Sequence, residues 1–264
     1  MLYWMKKVRK AMLTFYFTGT GNSLAAAKKI GGTLISIPQA IHEENKIYRD
    51  DAIGFVFPLY CLNPPKMVRE FLQNTKFEAD YFFAVATYGN AAGAALPHLQ
   101  RAAEGRGIRF DYMNALLSVD NCLPHFEMNA EIAKLPAKRT QECLEQIAAD
   151  IAARKRFIPA ATAEDEALSA YCEPLLREQD KGGSAKAFAV NGNCTRCCLC
   201  TYVCPAANIS VAERVEFGDS CEACYACIHA CPQGAIHLPN EKSAARWRNP
   251  DVTITEIIRA NSQN

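Results

Sequence analysis

Cysteine residues dominate the chemistry that this sequence can support. The 264 residues include 13 cysteines, and nine of these lie between Cys194 and Cys231. Eight of the nine form two copies of the pattern C-x2-C-x2-C-x3-C-P, the second copy 27 residues after the first. The copies are Cys194, Cys197, Cys200 and Cys204 before Pro205, and Cys221, Cys224, Cys227 and Cys231 before Pro232. This spacing is typical of thiolate ligands to [4Fe–4S] clusters.

The ligand sets that this motif predicts are crossed between the two copies. The first three cysteines of a copy surround one cluster, and the fourth ligates the other cluster. The predicted sets are therefore Cys194, Cys197, Cys200 and Cys231, and Cys221, Cys224, Cys227 and Cys204. Structural zinc is the alternative, although a zinc ribbon uses cysteine pairs and has no need of a third cysteine or a Cys-Pro. Cys198, beside a ligand, is expected to be a small buried residue.

A loop near the N-terminus has the composition of a phosphate site. The run Thr18-Gly19-Thr20-Gly21-Asn22-Ser23 stands between a predicted strand and a predicted helix, where backbone N–H groups meet anions. It lacks the lysine of a Walker loop and the third glycine of a dinucleotide loop. Hydroxyl and amide groups without a cation suit a permanently bound monophosphate. An ordinary turn with helix-capping Thr and Asn is the alternative.

Strand and helix patterns alternate over the first 155 residues or so. Strands are predicted at 12–17, 33–37, 52–57, 81–87 and within 108–119, and helices at 24–30, 64–72, 91–103 and 138–154. This alternation predicts a parallel sheet with helices on both faces. We expect one domain at 12–156, a linker with a short helix (167–178) at 157–186, a compact second domain at 187–239, and a tail at 240–264 that is frayed or forms a helix at 254–260.

The segment FYFTGTGNS resembles the phosphate loop of flavodoxins, and the resemblance extends over 12–156. It implies a doubly wound sheet in the order 2-1-3-4-5, with FMN at the carboxyl edge. It also implies two loops beside the flavin ring, which contain Pro58 and Tyr60, and Thr87, Tyr88, Gly89 and Asn90. Cys61 and Leu62 stand where flavodoxins often have a glycine. The loop 118–124 is expected at the same edge, in the flavin pocket or in the interface between domains.

The cysteine region resembles two-cluster bacterial ferredoxins. Residues 12–238 together resemble iron–sulfur flavoproteins, in which a flavodoxin-like domain is fused to such a ferredoxin. The resemblance implies electron transfer between FMN and the clusters, to or from an unidentified redox partner protein or small molecule. One alternative is a flavin-dependent oxidoreductase that reduces its own substrate with electrons fed through the clusters. Another is a structural or sensory role of the clusters. No catalytic side chain is predicted beyond the cofactor ligands.

Composition argues against several other classes of function. The net charge of +1 provides no strong positive electrostatic field that would attract nucleic acid. No apolar run approaches the roughly 18–20 residues of a membrane helix, and the N-terminus lacks the pattern of a signal peptide. We therefore expect a cytoplasmic protein, and oxygen-labile clusters suggest an anaerobic setting. The basic run Lys6–Lys10 is interpreted as a solvated extension. The five histidines show no metal-ligand spacing, and His229 is expected to be solvated or to tune a cluster.

Overall fold

A computed structural model describes residues 11–44 and 46–263, so the basic run 6–10 lies outside the described residues. The strands are β1 Met12–Tyr16, β2 Thr33–Ser36, β3 Ile47–Pro58, β4 Lys76–Tyr88, β5 Tyr112–Leu117, β6 Ala189–Val190, β7 Ile209–Val211, β8 Val215–Phe217 and β9 Ile236–His237. The helices are α1 Asn22–Ile30, α2 Ile37–Ala40, α3 Lys66–Asn74, α4 Ala95–Glu104, α5 Met128–Ala133, α6 Leu135–Lys138, α7 Thr140–Ala152, α8 Ala163–Gln179, α9 Leu199–Tyr202, α10 Ala226–Ala230 and α11 Ile254–Asn261. A short 3₁₀ helix spans Gly183–Ala187.

The first five strands form one parallel sheet in the order β2-β1-β3-β4-β5. The chain leaves β1 toward one edge of the sheet and returns through β3 toward the other, so the order reverses between β1 and β3. Helices α1 and α7 share one hydrophobic cluster with the sheet, and α3 and α4 share the other, so both faces are covered. This confirms the predicted flavodoxin-like doubly wound fold. Sheets of this kind bind ligands at the carboxyl ends of the strands beside the reversal point.

Strands β3 and β4 begin earlier than the sequence predicts. Their added N-terminal halves carry charged residues such as Arg49 and Glu78. These halves are therefore not apolar runs, and the apolar pattern does not predict them as strand. Tyr48 and Phe77 pair across these halves and stack with a ring separation of 5.9 Å, and Phe71 of α3 packs against both. Aromatic packing therefore lengthens the two central strands beyond their buried parts.

One glycine permits the close packing of β3 against β4. Gly54 pairs with Phe83 in the parallel register, and the Phe83 ring lies over the glycine. A Cβ atom added to Gly54 would lie 1.8 Å from Cζ of Phe83, which is itself fully buried. The absence of a side chain at Gly54 therefore determines where this ring fits.

The internal repeat of the sequence recurs in the backbone of the C-terminal region. Helix α9 matches the start of α10 at an offset of 27 residues, and the start of β7 matches β9 at the same offset. Residues with positive φ angles also match at this offset, in the pairs Arg196 and Ala223, Cys198 and Tyr225, and Ala207 and Gly234. The two copies of the cysteine motif therefore fold alike.

The segments predicted as linker and tail both pack against the rest of the chain. Helix α8 is longer than predicted and begins with a capping box between Thr162 and Asp165. Ser169 of α8 is buried and accepts a hydrogen bond of 2.9 Å from the backbone N–H of Ala94, just before α4. Helix α11 confirms the predicted helix in the tail, and it buries Ile257 and Ala260.

Candidate functional site

The eight motif cysteines line two separate cavities. The first, cage I, is bordered by Cys194, Cys197, Cys200 and Cys231. The second, cage II, is bordered by Cys204, Cys221, Cys224 and Cys227. Each cage takes three cysteines from one copy of the motif and the fourth from the other copy. The structure thus brings together the crossed sets that the spacing predicts.

Apolar side chains complete both cages. Val211, Val215 and Ile236 line cage I. Phe188 and Phe217 line cage II and pack edge to face, with ring centroids 5.5 Å apart. Such linings exclude water from a bound group, and solvent exclusion is one of the factors that set cluster potentials.

Unusual backbone conformations occur between the cysteines that line the cages. In the first copy Arg196 and Cys198 have φ angles of 55° and 62°. Their counterparts Ala223 and Tyr225 have φ angles of 51° and 56°. Side-chain-bearing residues adopt this left-handed region at a cost, and such strain concentrates at functional sites. Cys198 is half-buried rather than buried as predicted, because it occupies one of these turn positions.

Backbone N–H groups point at three of the cage sulfurs. Asn208 donates to Cys204 Sγ, Ala223 to Cys221 Sγ, and Ala235 to Cys231 Sγ, each over 3.3 Å. The first and third of these bonds are again related by the 27-residue offset. Hydrogen bonds of this type stabilise thiolate charge and tune the potential of a cluster.

Burial disfavours the thiolate form of several cage cysteines and raises their pKa. Burial raises the pKa of Cys200 and of Cys221 to about 11. Metal binding would displace the thiol protons, because only the thiolate is a ligand. Among the described residues, no group of three or more His, Cys, Asp or Glu side chains has the geometry of a site for one metal ion.

The two cages differ in exposure although their backbones match. Cys197 of cage I is exposed, whereas Cys224 and Cys227 of cage II are 8% and 7% exposed. Cage II lies directly on the loop 18–23 at the carboxyl edge of the sheet. A Cβ atom added to Gly19 would lie 3.0 Å from the carbonyl oxygen of Cys224. Cage I thus faces solvent, and cage II faces the sheet domain.

The hydroxyl groups predicted to bind phosphate are hydrogen-bonded within the chain. Thr18 Oγ1 accepts from the N–H of Gly21 over 3.1 Å. Ser23 Oγ and Thr87 Oγ1 share a hydrogen bond of 2.8 Å. Thr20 Oγ1 accepts from the side-chain amide of Asn121. All four of these hydroxyl-bearing residues are buried.

Residues 249–261, which we call the C-terminal strap, cover the same loop. The backbone N–H of Asn249 donates to the carbonyl oxygen of Thr20 over 2.9 Å, and its side-chain amide donates to Asn22 Oδ1 over 3.0 Å. At the other end of the strap, Asn261 Nδ2 donates to the carbonyl oxygens of Thr18, at 3.0 Å, and Val203, at 2.9 Å. Three polar residues of the loop therefore contact the strap.

The loops predicted to hold a flavin ring lie at the expected edge but are closed. The hydroxyl oxygen of Tyr60 is 3.0 Å from the position of a Cβ on Gly19, so this side chain fills the space between the loop and cage II. A Cβ on Gly89 would lie 2.3 Å from Cα of Asp120, so the loops after β4 and β5 touch. Pro58, the last residue of β3, pairs with Thr87 of β4; Tyr88 is half-buried, and Asn90 is exposed.

The first of these loops makes a strained turn. Cys61 and Leu62 have φ angles of 46° and 58°, and Tyr60 and Asn63 exchange two backbone hydrogen bonds across them. Glycine or asparagine usually occupies both central positions of such a turn. The side chain of Cys61 donates to Gln179 Oε1 of α8 over 3.2 Å. Cys61, which stands where flavodoxins often have a glycine, thus connects this loop to α8.

The donor groups of the loop 18–23 fit a phosphate, but the space around it does not fit FMN in this arrangement. The hydroxyl and amide groups of the loop are suitable hydrogen-bond donors to a phosphate. Helix α1 begins within the loop, and the first turn of α1 has no acidic residue and no side-chain cap. The strap, Tyr60 and Cys224 occupy the surrounding space. The FMN site therefore stays a prediction.

His229 belongs to the interface and is not solvated. It is 7% exposed, its Nε2–H donates to the carbonyl oxygen of Asn121 over 2.9 Å, and its Nδ1 accepts from the N–H of Trp247 over 3.1 Å. Burial lowers its pKa to about 4, so the ring is neutral. His229 joins cage II to the loop after β5 and to the segment before the strap. The loop 118–124 thus contributes to the interface through Asn121.

Glu222 connects cage II to the sheet domain on the opposite side. It is 8% exposed, and its Oε1 accepts from the backbone N–H of Met67, in the first turn of α3, over 3.0 Å. Burial raises the pKa of Glu222 to about 7. The sequence does not predict this contact, because Glu222 and the helix that it caps are 155 residues apart.

We expect Glu222→Ala to loosen the contact between cage II and α3. The substitution leaves the N–H of Met67 without a partner, and loss of a helix cap costs about 1 kcal/mol. Anaerobic urea unfolding of the full chain measures the change. Glu213→Ala, at an exposed position between β7 and β8, is the control. Equal unfolding free energies of the two variants would contradict the capping role.

Comparison with known proteins yields similarities of fold. No family model and no curated protein matches the sequence. A putative flavoprotein from Bacteroides uniformis has 16% identity and a TM-score of 0.34, covering 52% of this chain and 97% of that one. A two-electron-reduced flavodoxin from Megasphaera elsdenii has 15% identity and a TM-score of 0.31, covering 53% and 98%. Rubredoxin:oxygen oxidoreductase from Desulfovibrio gigas has 16% identity and a TM-score of 0.36, covering 54% and 35%.

At these TM-scores the similarities bear on neither cofactor nor activity.

Among the helices described, none has both the length and the apolar character needed to span a bilayer.

Proposed function

We propose that this protein is an electron-transfer protein that binds one [4Fe–4S] cluster in cage I and a second in cage II. The observation that carries the proposal is that the crossed cysteine sets line two separate cavities. A bound cluster of this type supplies transfer of one electron at a time. The chain provides four thiolates for each cluster, excludes water with apolar side chains, and directs N–H groups at the sulfurs.

The difference in exposure suggests separate roles for the two cages. Cage I presents Cys197 and Arg196 to solvent, and Tyr202 of α9 is 45% exposed nearby in the sequence. A redox partner can therefore approach cage I closely. Cage II is enclosed by the sheet domain, so we propose that electrons enter and leave the chain through cage I.

The FMN prediction is retained only as a prediction, since the loop 18–23 is covered. The alternative function is reduction of a small-molecule substrate at a flavin. It depends on FMN, so it is a prediction as well. Electron transfer through the two clusters requires neither.

The test is the cofactor content of the full chain purified without oxygen. We expect about eight irons and eight acid-labile sulfides per chain, and clusters that accept electrons from dithionite with a change in the paramagnetic resonance spectrum. Flavin released by acid and identified by chromatography is measured on the same sample. Cys143→Ala, at an exposed position on α7, is the control and should retain full iron content. Stoichiometric zinc without iron would overturn the proposal.

A further inference from the structure

The same face of the cysteine motif is covered in the second copy and exposed in the first. We propose that the exposed face is the docking surface of a redox partner protein, and that the partner's docking loop carries carboxylates. The inference rests on the proposed function, because a partner docked there would exchange electrons with the cluster proposed for cage I. We call this exposed surface the docking face, and it consists of Thr195, Arg196, Cys197 and Tyr202.

Three elements of the sheet domain cover the second copy. Glu222 accepts a hydrogen bond from the start of α3, and His229 donates one to the loop after β5. The carbonyl oxygen of Cys224 lies 3.0 Å from a Cβ added to Gly19, in the loop after β1. Glu222, Cys224 and His229 are 8%, 8% and 7% exposed, and Ala223 beside them is 9% exposed. This face of the second copy is therefore an established contact with another part of the chain.

The first copy presents the equivalent face to solvent. The docking face lies 27 residues before the covered face, position for position. Its four residues are all exposed, and Tyr202 is 45% exposed. Arg196 and Ala223, which are equivalent, have φ angles of 55° and 51°, so the backbone bends alike in both faces. A backbone surface that packs on a protein domain in one copy is thus left open in the other.

The docking face offers hydrogen-bond donors. Thr195 stands where the second copy has the carboxylate of Glu222, and Tyr202 contributes a hydroxyl in place of an imidazole. Arg196 lines cage I, and no other Lys, Arg, Asp or Glu does so in the described part of the chain. A guanidinium pairs with a carboxylate through two parallel hydrogen bonds, and its positive charge attracts an acidic surface. These donors therefore fit a partner loop that carries carboxylates.

A partner on the docking face reaches the edge of cage I. Cys197 borders cage I, is exposed and follows Arg196 directly in the chain. A carboxylate paired with Arg196 thus lies beside a cysteine proposed to ligate the cluster. The positive charge of Arg196 also offsets the negative charge of the thiolates, which by itself repels an acidic partner.

The experiment follows the reduction of the clusters in the full chain by a reduced acidic flavodoxin, mixed without oxygen in a stopped-flow instrument. We expect Arg196→Ala to lower the second-order rate constant about threefold and to weaken its dependence on salt, because a charge that guides the encounter is lost. Arg196→Glu should lower the rate constant roughly tenfold, because attraction becomes repulsion. Alanine suits the backbone at this position, since Ala223 has the same conformation in the second copy.

Two controls isolate docking from damage to the cluster. Arg109→Ala removes the same charge from an exposed position between α4 and β5, and it should leave the rate with flavodoxin unchanged. Reduced methyl viologen, a small cation, should reduce Arg196→Ala at least as fast as the unaltered chain. Iron content and the midpoint potentials of the clusters, followed by paramagnetic resonance, verify that the variants are loaded and comparable.

The outcomes separate the docking face from the cluster proposal. Equal rates with flavodoxin for the unaltered chain and both Arg196 variants would refute the docking face while the clusters stand. Loaded clusters that flavodoxin fails to reduce in the unaltered chain would refute it as well. A parallel loss of rate with methyl viologen in Arg196→Ala would assign the effect to the cluster and overturn the inference. Absence of iron from the unaltered chain would instead refute the proposed function itself.

Discussion

Cys204→Ala is expected to remove about four of about eight irons per chain, and to empty the cage that Cys224→Ala empties. Cys204 belongs to the first copy of the motif but lines cage II, beside three cysteines of the second copy. Loss of one thiolate from four exposes an iron to water and releases the cluster. Iron and labile sulfide in protein purified without oxygen give the result.

Double variants test the crossed assignment of the cysteines directly. Cys204→Ala combined with Cys224→Ala should retain as much iron as either single variant, because both side chains serve cage II. Cys204→Ala combined with Cys197→Ala should lose nearly all iron, because one change affects each cage. Cys198→Ala is a close control, since this half-buried cysteine lines cage I without belonging to a predicted set. The opposite pattern in the two double variants would show that each copy holds its own cluster.

Gly54→Ala is expected to destabilise the sheet strongly. The new methyl group would lie 1.8 Å from Cζ of Phe83, and that ring is fully buried with Tyr81 6.3 Å away. Overpacking of this kind typically costs about 1–3 kcal/mol and occasionally more. Urea unfolding of the full chain, followed by far-ultraviolet circular dichroism, measures the loss.

Gly105→Ala is the matched control for Gly54→Ala. Gly105 follows α4 with a φ angle of −62°, and the nearest atom to an added Cβ is 3.7 Å away. Alanine at such a position is neutral or stabilises by up to about 1 kcal/mol, because it restricts the unfolded chain. Equal loss of stability in both variants would contradict the role of Gly54 in seating the Phe83 ring.

The sheet and the cysteine sets could be predicted because their signals are local. Short apolar runs that alternate with helical patterns identify the five strands, and the resemblance of one loop supplies their order. The spacing within each cysteine motif predicted the crossed sets, and the offset of 27 residues predicted the repeat. Each of these features depends on residues close together in the chain.

Apart from the loop 118–124, the polar contacts of the interface could not be predicted, because each comes from an isolated residue. Glu222, His229 and Asn261 each bond to a backbone group more than 17 residues away. A single amide or carboxylate carries no pattern that indicates such a partner. The extended halves of β3 and β4 were missed for a related reason, since Arg49 and Glu78 pair with each other at the surface.

The strap also imposes an order of events on synthesis of the chain. Asn261 bonds to Thr18 across 243 residues of sequence, so the loop cannot be covered until the strap has left the ribosome. At about 5–20 residues per second, roughly 10 to 50 s separate the translation of the loop from that of the strap. The sheet strands β2 to β5 and both cysteine motifs are translated within that interval. During translation the nascent protein thus presents an uncovered loop that the completed protein keeps closed.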